Sequence, residues 1–265
     1  MHILDQIIAD KKREVALKKS IIPATQLENS VLFNRSTISL SKNIKNSQTG
    51  IIAEYKRRSP SKPSQNELFS VDDVVKDYEF EGACGISVLT DGKYFGGSLD
   101  DLILARASVQ MPLIRKEFII DSYQILEAKA HGADVILLIA AVLSQAEIAH
   151  LSQFAQSLGL EVLLEIHNEI ELQKAILPSI NFIGVNNRNL KTFEVDLNIS
   201  LQLAHLIPNE FLKISESGID SPHSICLLQK AGYNGFLIGD YFMKTANPGL
   251  ALKNLISQII INKQQ

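Results

Sequence analysis

The sequence predicts a (β/α)8 barrel, or TIM barrel, with an N-terminal helical extension. Two observations lead to this fold class. After residue 50, eight short apolar segments alternate with eight helical segments, and three of the apolar segments carry a charged residue at or near their end. A doubly wound sheet usually has fewer strands and a glycine-rich first turn, and no GxGxxG motif follows Lys56. We expect residues 1–265 to form a single domain, with residues 1–50 as the extension.

The extension is predicted to contain two helices and a linker. Apolar residues recur at helical spacing from Ile3 to Val15, with lysines on the other faces, which indicates an amphipathic helix. A second helical stretch begins at Pro23 and runs to about Val31. The polar, Asn- and Ser-rich segment Ser36–Gly50 is interpreted as a linker.

The alternating pattern supplies the barrel itself. The predicted strands are Ile51–Lys56, Gly85–Thr90, Pro112–Lys116, Asp134–Ile139, Glu161–Ile166, Phe182–Asn186, Phe211–Glu216 and Gly235–Gly239. The predicted helices are Val71–Glu81, Leu99–Val109, Asp121–His131, Ser144–Leu158, Glu169–Ala175, Leu197–Leu206, Pro222–Ala231 and Ala251–Ile261. Four of these helices are followed by a glycine, as expected where a helix ends in a left-handed residue: Gly82, Gly132, Gly159 and Gly232.

Composition and charge narrow the classes of function. The net charge of −3 argues against nucleic-acid binding, and the longest strongly apolar run, Val135–Leu143, is too short to span a membrane. Cys84 and Cys226 lie far apart, and neither they nor the six scattered histidines have the spacing of a metal site. The N-terminus lacks the pattern of a signal peptide. We therefore expect a cytoplasmic enzyme that holds no metal ion. Of the two oligomeric possibilities, we expect a monomer rather than an oligomer.

Charged residues at strand ends predict a catalytic cluster. Because side chains alternate along a strand, Glu54 and Lys56 share one face, as do Ile114 and Lys116. In parallel α/β folds, chemistry takes place at the carboxyl-terminal edge of the strands. If these faces point into the barrel, the side chains that converge at its mouth are Glu54, Lys56, Lys116, Glu165, Asn186 and Glu216. Acids and amines in one concavity can divide proton-donating and proton-accepting roles.

The last two strands are predicted to hold an anion. Ser217–Gly218 follows the seventh strand and Gly239–Asp240 follows the eighth, where barrels often bind phosphate on backbone N–H groups. Glycine lets the backbone approach an anion closely. The basic, hydroxyl-rich segment 57–62 is a candidate cover for such a phosphate.

At these residues the chain resembles the indole-3-glycerol phosphate synthase family. The matching segments occur in the family's order and extend over essentially the whole chain after residue 50: IIAEYKRRSPS at 51–61, VLTDGKYFGGSLDDL at 88–102, PLIRKEFIIDSYQI at 112–125, LLEIHNEIEL at 163–172, GVNNRNLKTFEVDL at 184–197, SESGI at 215–219 and LIGDYFM at 237–243. The resemblance implies a phosphate-binding (β/α)8 barrel with an N-terminal helical segment. It also implies a carboxy-lyase of tryptophan biosynthesis that uses no metal or organic cofactor. Its sugar-phosphate substrate would be 1-(2-carboxyphenylamino)-1-deoxyribulose 5-phosphate, converted to indole-3-glycerol phosphate with loss of CO2 and water.

The resemblance also implies roles for individual residues. Lys116 becomes the leading general acid, and Glu165 becomes the acid/base partner for the dehydration. Lys56 binds the substrate and is a second candidate proton donor, while Glu54 and Asn186 position these groups. The implied substrate-binding residues are Ser59, Pro60, Arg188, Glu216, Ser217, Gly218, Gly239 and Asp240 at the rim and phosphate region, and Phe95, Phe118, Leu137 and Leu190 against the anthranilate ring.

The sequence departs from the family's usual pattern at four positions. Glu117 stands where the family usually has Asp, and Gly92 stands where an acid is common. Pro63 stands where a glycine usually follows SPSK, and Asp240 stands where Ser or Glu is common. None of these changes removes a candidate catalytic group. Asp240 would put a carboxylate near the phosphate, and a lysine in the apolar rim beside other cations is expected to have a lowered pKa.

Other interpretations of the same residues stay open. Glu54 and Lys56 could form a structural ion pair, and His167, beside Glu165, is interpreted as a helix-start or packing residue. A sugar-phosphate isomerase of the same fold is disfavoured, because such enzymes use a Cys/Asp pair at strand ends and neither cysteine lies there. A non-catalytic phosphate-binding barrel would not need Lys56, Lys116 and Glu165 together.

Overall fold

Eight parallel strands close into a barrel in the computed structural model, which describes residues 3–60, 69–190 and 192–264. The strands are β1 Ile51–Tyr55, β2 Gly85–Leu89, β3 Leu113–Lys116, β4 Val135–Ile139, β5 Glu161–Ile166, β6 Phe182–Asn186, β7 Leu212–Glu216 and β8 Gly235–Ile238. Each strand pairs with the next along the chain, and β1 pairs with β8. The predicted (β/α)8 barrel is confirmed, and each strand ends within one residue of its predicted bounds.

Helices precede the barrel and separate its strands. Within the described residues they are α1 Ile3–Ile21, α2 Ala24–Glu28, α3 Leu40–Asn46, α4 Val71–Phe80, α5 Gly92–Phe95, α6 Leu99–Ser108, α7 Ser122–Ala130, α8 Gln145–Ser157, α9 Glu169–Ala175, α10 Asn198–Leu203, α11 Pro222–Lys230, α12 Asp240–Met243 and α13 Pro248–Gln264. The predicted left-handed glycines are confirmed by φ angles of 93° at Gly82, 89° at Gly132, 75° at Gly159 and 100° at Gly232. Across the described ranges, no helix combines the length and the apolar character needed to cross a membrane.

The interpretation of Ser36–Gly50 as a linker is wrong, because this segment contains α3. The Ser39 hydroxyl caps α3 by accepting the Lys42 backbone N–H, and Glu161 accepts the backbone N–H of Leu40 at 2.8 Å. Leu40 and Ile44 are buried, and they pack with the inward-facing residues of the strands. The helix therefore fills the amino-terminal end of the barrel, and part of the extension belongs to the barrel's core.

The strand register brings the charged strand ends to one level at the opposite end. Lys116 on β3 pairs with Leu89 on β2, and Glu165 on β5 pairs with Ile139 on β4. On β6 and β7, Asn186 pairs with Glu216. Because every strand runs in the same direction, these residues all lie at the carboxyl-terminal mouth of the barrel.

Helix α1 is fixed to this same end of the barrel. Its Val15 packs in a cluster on α7, while Lys11 is only 2% exposed. The Lys11 ammonium lies 3.0 Å from Asp91 Oδ2 and 3.2 Å from Glu117 Oε1, which follow β2 and β3 respectively. Although burial lowers the pKa of Lys11, the charges of Glu117 and Asp91 outweigh it and raise this pKa. A buried cation that joins two loops of the mouth thus holds the predicted amphipathic helix in place.

Candidate active site

A cavity of about 680 Å³ opens at the carboxyl-terminal mouth of the barrel. All seventeen residues proposed from the sequence line it: Glu54, Lys56, Ser59, Pro60, Phe95, Lys116, Phe118, Leu137, Glu165, Asn186, Arg188, Leu190, Glu216, Ser217, Gly218, Gly239 and Asp240. The predicted convergence of the strand ends is therefore confirmed. Apolar side chains from α1 also line this cavity.

Lys116 stands between two glutamates in this cavity. Its Nζ lies 3.5 Å from Glu165 Oε2 and 3.4 Å from Glu216 Oε2, and the lysine side chain is 18% exposed. Glu165 and Glu216 are almost fully buried. The ammonium can thus reach a molecule in the cavity while two carboxylates hold it from the barrel side.

The expected lowering of the pKa of a rim lysine is wrong for Lys116. Burial lowers this pKa, but the charges of Glu216, Glu165 and Glu54 outweigh burial and raise it above the ordinary value of a lysine. The physical reason is that the cluster contains more acids than amines. Lys116 is therefore charged at neutral pH and has a proton to donate.

The excess of acids raises the pKa of Glu216 as well. Burial raises the pKa of Glu216 to about 7, and the charges of Glu165 and Glu54 add to this, although Lys116 acts against them. Apart from the ion pair with Lys116, neither carboxylate oxygen of Glu216 has a hydrogen-bond partner among the described residues. A carboxyl that titrates near neutral pH beside a charged lysine gives the cavity a group able to exchange protons.

Lys56 belongs to a second group of charges beside β1 and β8. Its Nζ lies 3.3 Å from Glu54 Oε1 and 2.5 Å from Asp240 Oδ1. Asp240 Oδ2 is also 3.5 Å from Arg188 Nη2, so the carboxylate that departs from the family pattern joins two cations of the rim. The backbone N–H of Arg188 donates to the side chain of Asn186 at 3.0 Å.

The loops after β7 and β8 have the tight backbone expected of an anion site. Ser217 and Gly218 both adopt left-handed backbone, with φ of 66° and 73°. A Cβ atom on Gly218 would overlap Val195, and one on Gly239 would lie 2.6 Å from Glu54 Oε1. A side chain at position 239 would therefore clash with Glu54, and it would also keep an anion away from the backbone.

Aromatic rings form the apolar wall of the cavity. The ring centroids of Phe95 and Phe118 are 5.9 Å apart and inclined by 42°. Phe95 ends the short helix α5, which is capped by the Asp91 side chain through the backbone N–H groups of Tyr94 and Phe95. Lys11 contacts this same Asp91, so α1 and the aromatic wall are connected by one buried ion pair.

The basic segment after β1 does not point its arginines at the cavity. Arg57 pairs with Asp101, and Arg58 donates to the backbone carbonyls of Gly92 and Lys93 at 3.1 Å each. Both arginines are used to hold neighbouring loops. Of the other members of the predicted cover, Ser59 and Pro60 line the cavity. Ser61 and Lys62 lie outside the described residues, as does Pro63.

His167 does more than begin a helix. It precedes Asn168, the N-cap of α9, as the sequence suggested. Its Nε2, however, lies 3.5 Å from Glu165 Oε1, and its Nδ1 lies 3.1 Å from Glu171 Oε2. The interpretation of His167 as a helix-start residue agrees with this position, and its ring also contacts the candidate catalytic residue Glu165.

Sequence reasoning missed several residues that line the cavity. They include Phe193, Tyr241 and Lys244 from loops or short helices. The N-terminal extension is a different case: the resemblance places it near the barrel mouth, its apolar helix predicts a wall of the pocket, and Ile3, Leu4 and Ile7 of α1 line the cavity. Among the described residues, no group of three or more His, Cys, Asp or Glu side chains is arranged to hold a metal ion.

A closed (β/α)8 barrel with buried lysines and glutamates at its carboxyl-terminal mouth has the architecture of a barrel enzyme, because such enzymes carry their active sites at that face. A family profile described as indole-3-glycerol phosphate synthase matches residues 4–255. The chain belongs to this family. Membership makes it a lyase of tryptophan biosynthesis.

Individual relatives agree with the family match. An indole-3-glycerol phosphate synthase from Bacteroides thetaiotaomicron is 47% identical over 257 residues, which cover 97% of this chain and 98% of the relative. The protein of the same name from Verminephrobacter eiseniae is 43% identical over 265 residues, covering 96% and 99%.

Solved structures of lower identity share the fold. A structure described as native KDPGal has a TM-score of 0.58 and 10% identity, covering 82% of this chain and 96% of its own. A chain of the tryptophan synthase complex from Pyrococcus furiosus has a TM-score of 0.57 and 13% identity, covering 81% and 98%. At these identities the likeness concerns the barrel alone.

Proposed function

We propose that the cluster around Lys116 closes the indole ring of 1-(2-carboxyphenylamino)-1-deoxyribulose 5-phosphate and so forms indole-3-glycerol phosphate. The observation that carries this proposal is the position of Lys116, charged and partly exposed between Glu165 and Glu216. The reaction begins when the aryl carbon that bears the carboxylate attacks the ketone carbon. Lys116 donates a proton to the ketone oxygen as that carbon–carbon bond forms.

The next steps release CO2 and water. The former carboxylate carbon leaves as CO2, and its bonding electrons restore the aromatic ring. Dehydration then needs an acid for the departing hydroxyl and a base for a proton on the five-membered ring. Glu165 gives a proton to the hydroxyl, since it lies buried beside Lys116 and at the wall of the cavity. Lys116, neutral since it protonated the ketone oxygen, takes the ring proton and is restored to its charged form.

Lys56 binds the substrate from the other side of the mouth. Its ammonium, 2.5 Å from Asp240 and 3.3 Å from Glu54, is positioned to pair with an anionic group that displaces Asp240. Glu54 and Asn186 position the cations Lys56 and Arg188. Glu54 contacts the Lys56 ammonium, and Asn186 accepts the Arg188 backbone N–H. Such positioning places reacting atoms at attack distance before chemistry begins.

The two ends of the substrate bind to different parts of the cavity. The phosphate lies against the loops after β7 and β8, where the backbone is tight and N–H groups can reach an anion. Its proposed contacts are Ser59, Pro60, Ser217, Gly218, Gly239 and Asp240. The anthranilate ring lies against the apolar wall formed by Phe95, Phe118, Leu137 and Leu190.

The proposal is tested by separating CO2 release from indole formation. The full chain is mixed with substrate while CO2 release and indole fluorescence are followed in parallel, and Glu165→Gln is compared with the exposed control Glu169→Gln. We expect the wild type and the control to form both products at equal rates. Glu165→Gln should release CO2 before indole appears. Equal loss of both products in Glu165→Gln would remove Glu165 from the dehydration, and a wild type that forms neither would refute the function.

Three further expectations belong to this proposal. The enzyme works in the cytoplasm, acts as a monomer and binds no nucleic acid, in keeping with the net charge of −3. Gel filtration with light scattering measures the oligomeric state directly. A dimer in solution would contradict the monomer proposal.

A further inference from the structure

The imidazole ring of His167 is held between two carboxylates. Its Nδ1 lies 3.1 Å from Glu171 Oε2, and its Nε2 lies 3.5 Å from Glu165 Oε1. The backbone N–H of His167 also donates to Glu171 Oε2 at 2.8 Å. The histidine side chain is 13% exposed, and that of Glu165 is 3% exposed.

The partners of Glu171 determine which ring nitrogen exchanges a proton. Burial raises the pKa of Glu171, but the hydrogen bond and charge of His167, together with Asn168, outweigh it and lower this pKa. Glu171 is therefore ionised at neutral pH and can only accept hydrogen bonds. Nδ1 must carry the proton that this carboxylate accepts. The nitrogen that gains or loses a proton is then Nε2, which faces Glu165.

Nε2 is buried and has no hydrogen-bond partner among the described residues. It is not needed to begin α9, because the Asn168 side chain already accepts the Glu171 backbone N–H at 2.9 Å. Glu171 likewise accepts the His167 backbone N–H without the ring. Helix capping therefore leaves the direction of the imidazole toward Glu165 unexplained.

The charges that face His167 favour its protonated form. They come from Glu165 on β5, Glu171 on α9 and Glu216 on β7, while Lys116 on β3 contacts Glu165 and Glu216. Burial lowers the pKa of His167, yet these acids outweigh burial and raise it above the ordinary value of a histidine. The ring therefore holds its proton to a higher pH than an ordinary histidine does.

We propose that His167 is a positioning residue that holds Glu165 and returns a proton to it in each turnover. The inference rests on the role proposed above for Glu165. After the Glu165 carboxyl has protonated the departing hydroxyl, the Nε2–H bond of His167 breaks and an O–H bond forms on Glu165. His167 is left neutral, with its Nδ1–H still donated to Glu171. Nε2 then regains its proton from water before the next turnover.

The experiment compares His167→Gln, Glu171→Gln and the control His150→Gln, an exposed histidine on α8. For each full-length variant, kcat and KM for ring closure are measured across the neutral pH range. In His167→Gln we expect kcat to fall about tenfold to a hundredfold, below the 10²–10⁴ typical of a group that meets the substrate. KM should stay within about twofold, since no substrate contact is lost.

The pH profile separates proton exchange from a merely structural role. In the wild type, kcat should fall as the pH rises through the pKa of His167. Removing the ring moves this alkaline limb to higher pH, whereas Glu171→Gln moves it to lower pH, because a negative charge that favours the imidazolium is lost. Added imidazole should restore part of kcat in His167→Ala.

Each outcome decides the matter. A His167→Gln enzyme with wild-type kcat overturns the inference, and so does a lowered kcat whose pH profile is unchanged in both variants. If His167→Gln does not fold, Glu171→Gln decides: a shift of the alkaline limb of its kcat profile to lower pH supports the inference, and no shift or a shift to higher pH overturns it. Failure of the inference alone leaves Glu165→Gln impaired in dehydration. A wild type that forms no indole removes the proposed function and this inference together.

Discussion

Glu216 should weaken the folded protein at the pH where the enzyme works. Its pKa is raised from the ordinary 4.5 to about 7, so the folded chain keeps a proton that the unfolded chain has already lost. Stability must therefore fall as the pH rises through this window and level off above pH 7. At about 1.4 kcal/mol for each factor of ten in the proton equilibrium, the loss is about 3 kcal/mol.

Glu216→Gln removes this loss, because the amide does not ionise. The free energy of unfolding of the variant minus that of the wild type should grow by about 3 kcal/mol between acidic and mildly alkaline pH. Any fixed cost of placing the amide in the buried site cancels in this difference. At the same time the variant should lose activity, since a group that exchanges protons beside Lys116 is gone.

The assay is urea unfolding across this pH range, with Glu210→Gln as the control. Glu210 is exposed and lies between α10 and β7. The control should follow the wild type at every pH. A stability difference for Glu216→Gln that does not change with pH, or that shrinks as the pH rises, would refute the reasoning.

Three more predictions concern the frame around the site. Lys11→Met should cost about 3–5 kcal/mol in unfolding free energy, because buried Asp91 loses its cation and, of the described cations, Glu117 keeps only Arg115, whereas exposed Lys12→Met should leave the same urea titration unchanged. A chain that begins at Pro23 should fold yet show a raised KM. A chain that begins at Ser47 loses α3, which fills the amino-terminal end of the barrel, and should lack cooperative unfolding. A stable chain that begins at Ser47 would show that α3 is dispensable. Gly218→Val should raise KM more than it lowers kcat in steady-state assays, because the branched side chain overlaps its neighbour and strains a left-handed residue; an unchanged KM would remove the phosphate from this loop.

Local patterns were sufficient to predict the barrel and the inward direction of its charged strand ends. Two-residue alternation places Glu54 and Lys56 on one face, and the common direction of the strands carries Lys116 and Glu165 to the same rim. Both signals are local in sequence. They do not depend on knowing which elements pack together.

What could not be predicted depends on packing between distant segments. α3 carries few apolar residues in a polar segment, and only its place in the barrel explains why Leu40 and Ile44 are buried. The raised pKa of Lys116 comes from acids on three other strands. The direction of the His167 ring is set by Glu171 beyond the strand's end, where alternation no longer applies.

The central claim is that Lys116 is the proton donor of ring closure, and kcat of Lys116→Ala tests it most directly. The control is Lys230→Ala, an exposed lysine at the end of α11, and circular dichroism and urea unfolding establish that both variants are folded. With 1-(2-carboxyphenylamino)-1-deoxyribulose 5-phosphate as substrate, kcat of Lys116→Ala should fall about 10²–10⁴-fold while the control keeps the wild-type rate. A folded Lys116→Ala enzyme that turns over at the wild-type rate would contradict the account.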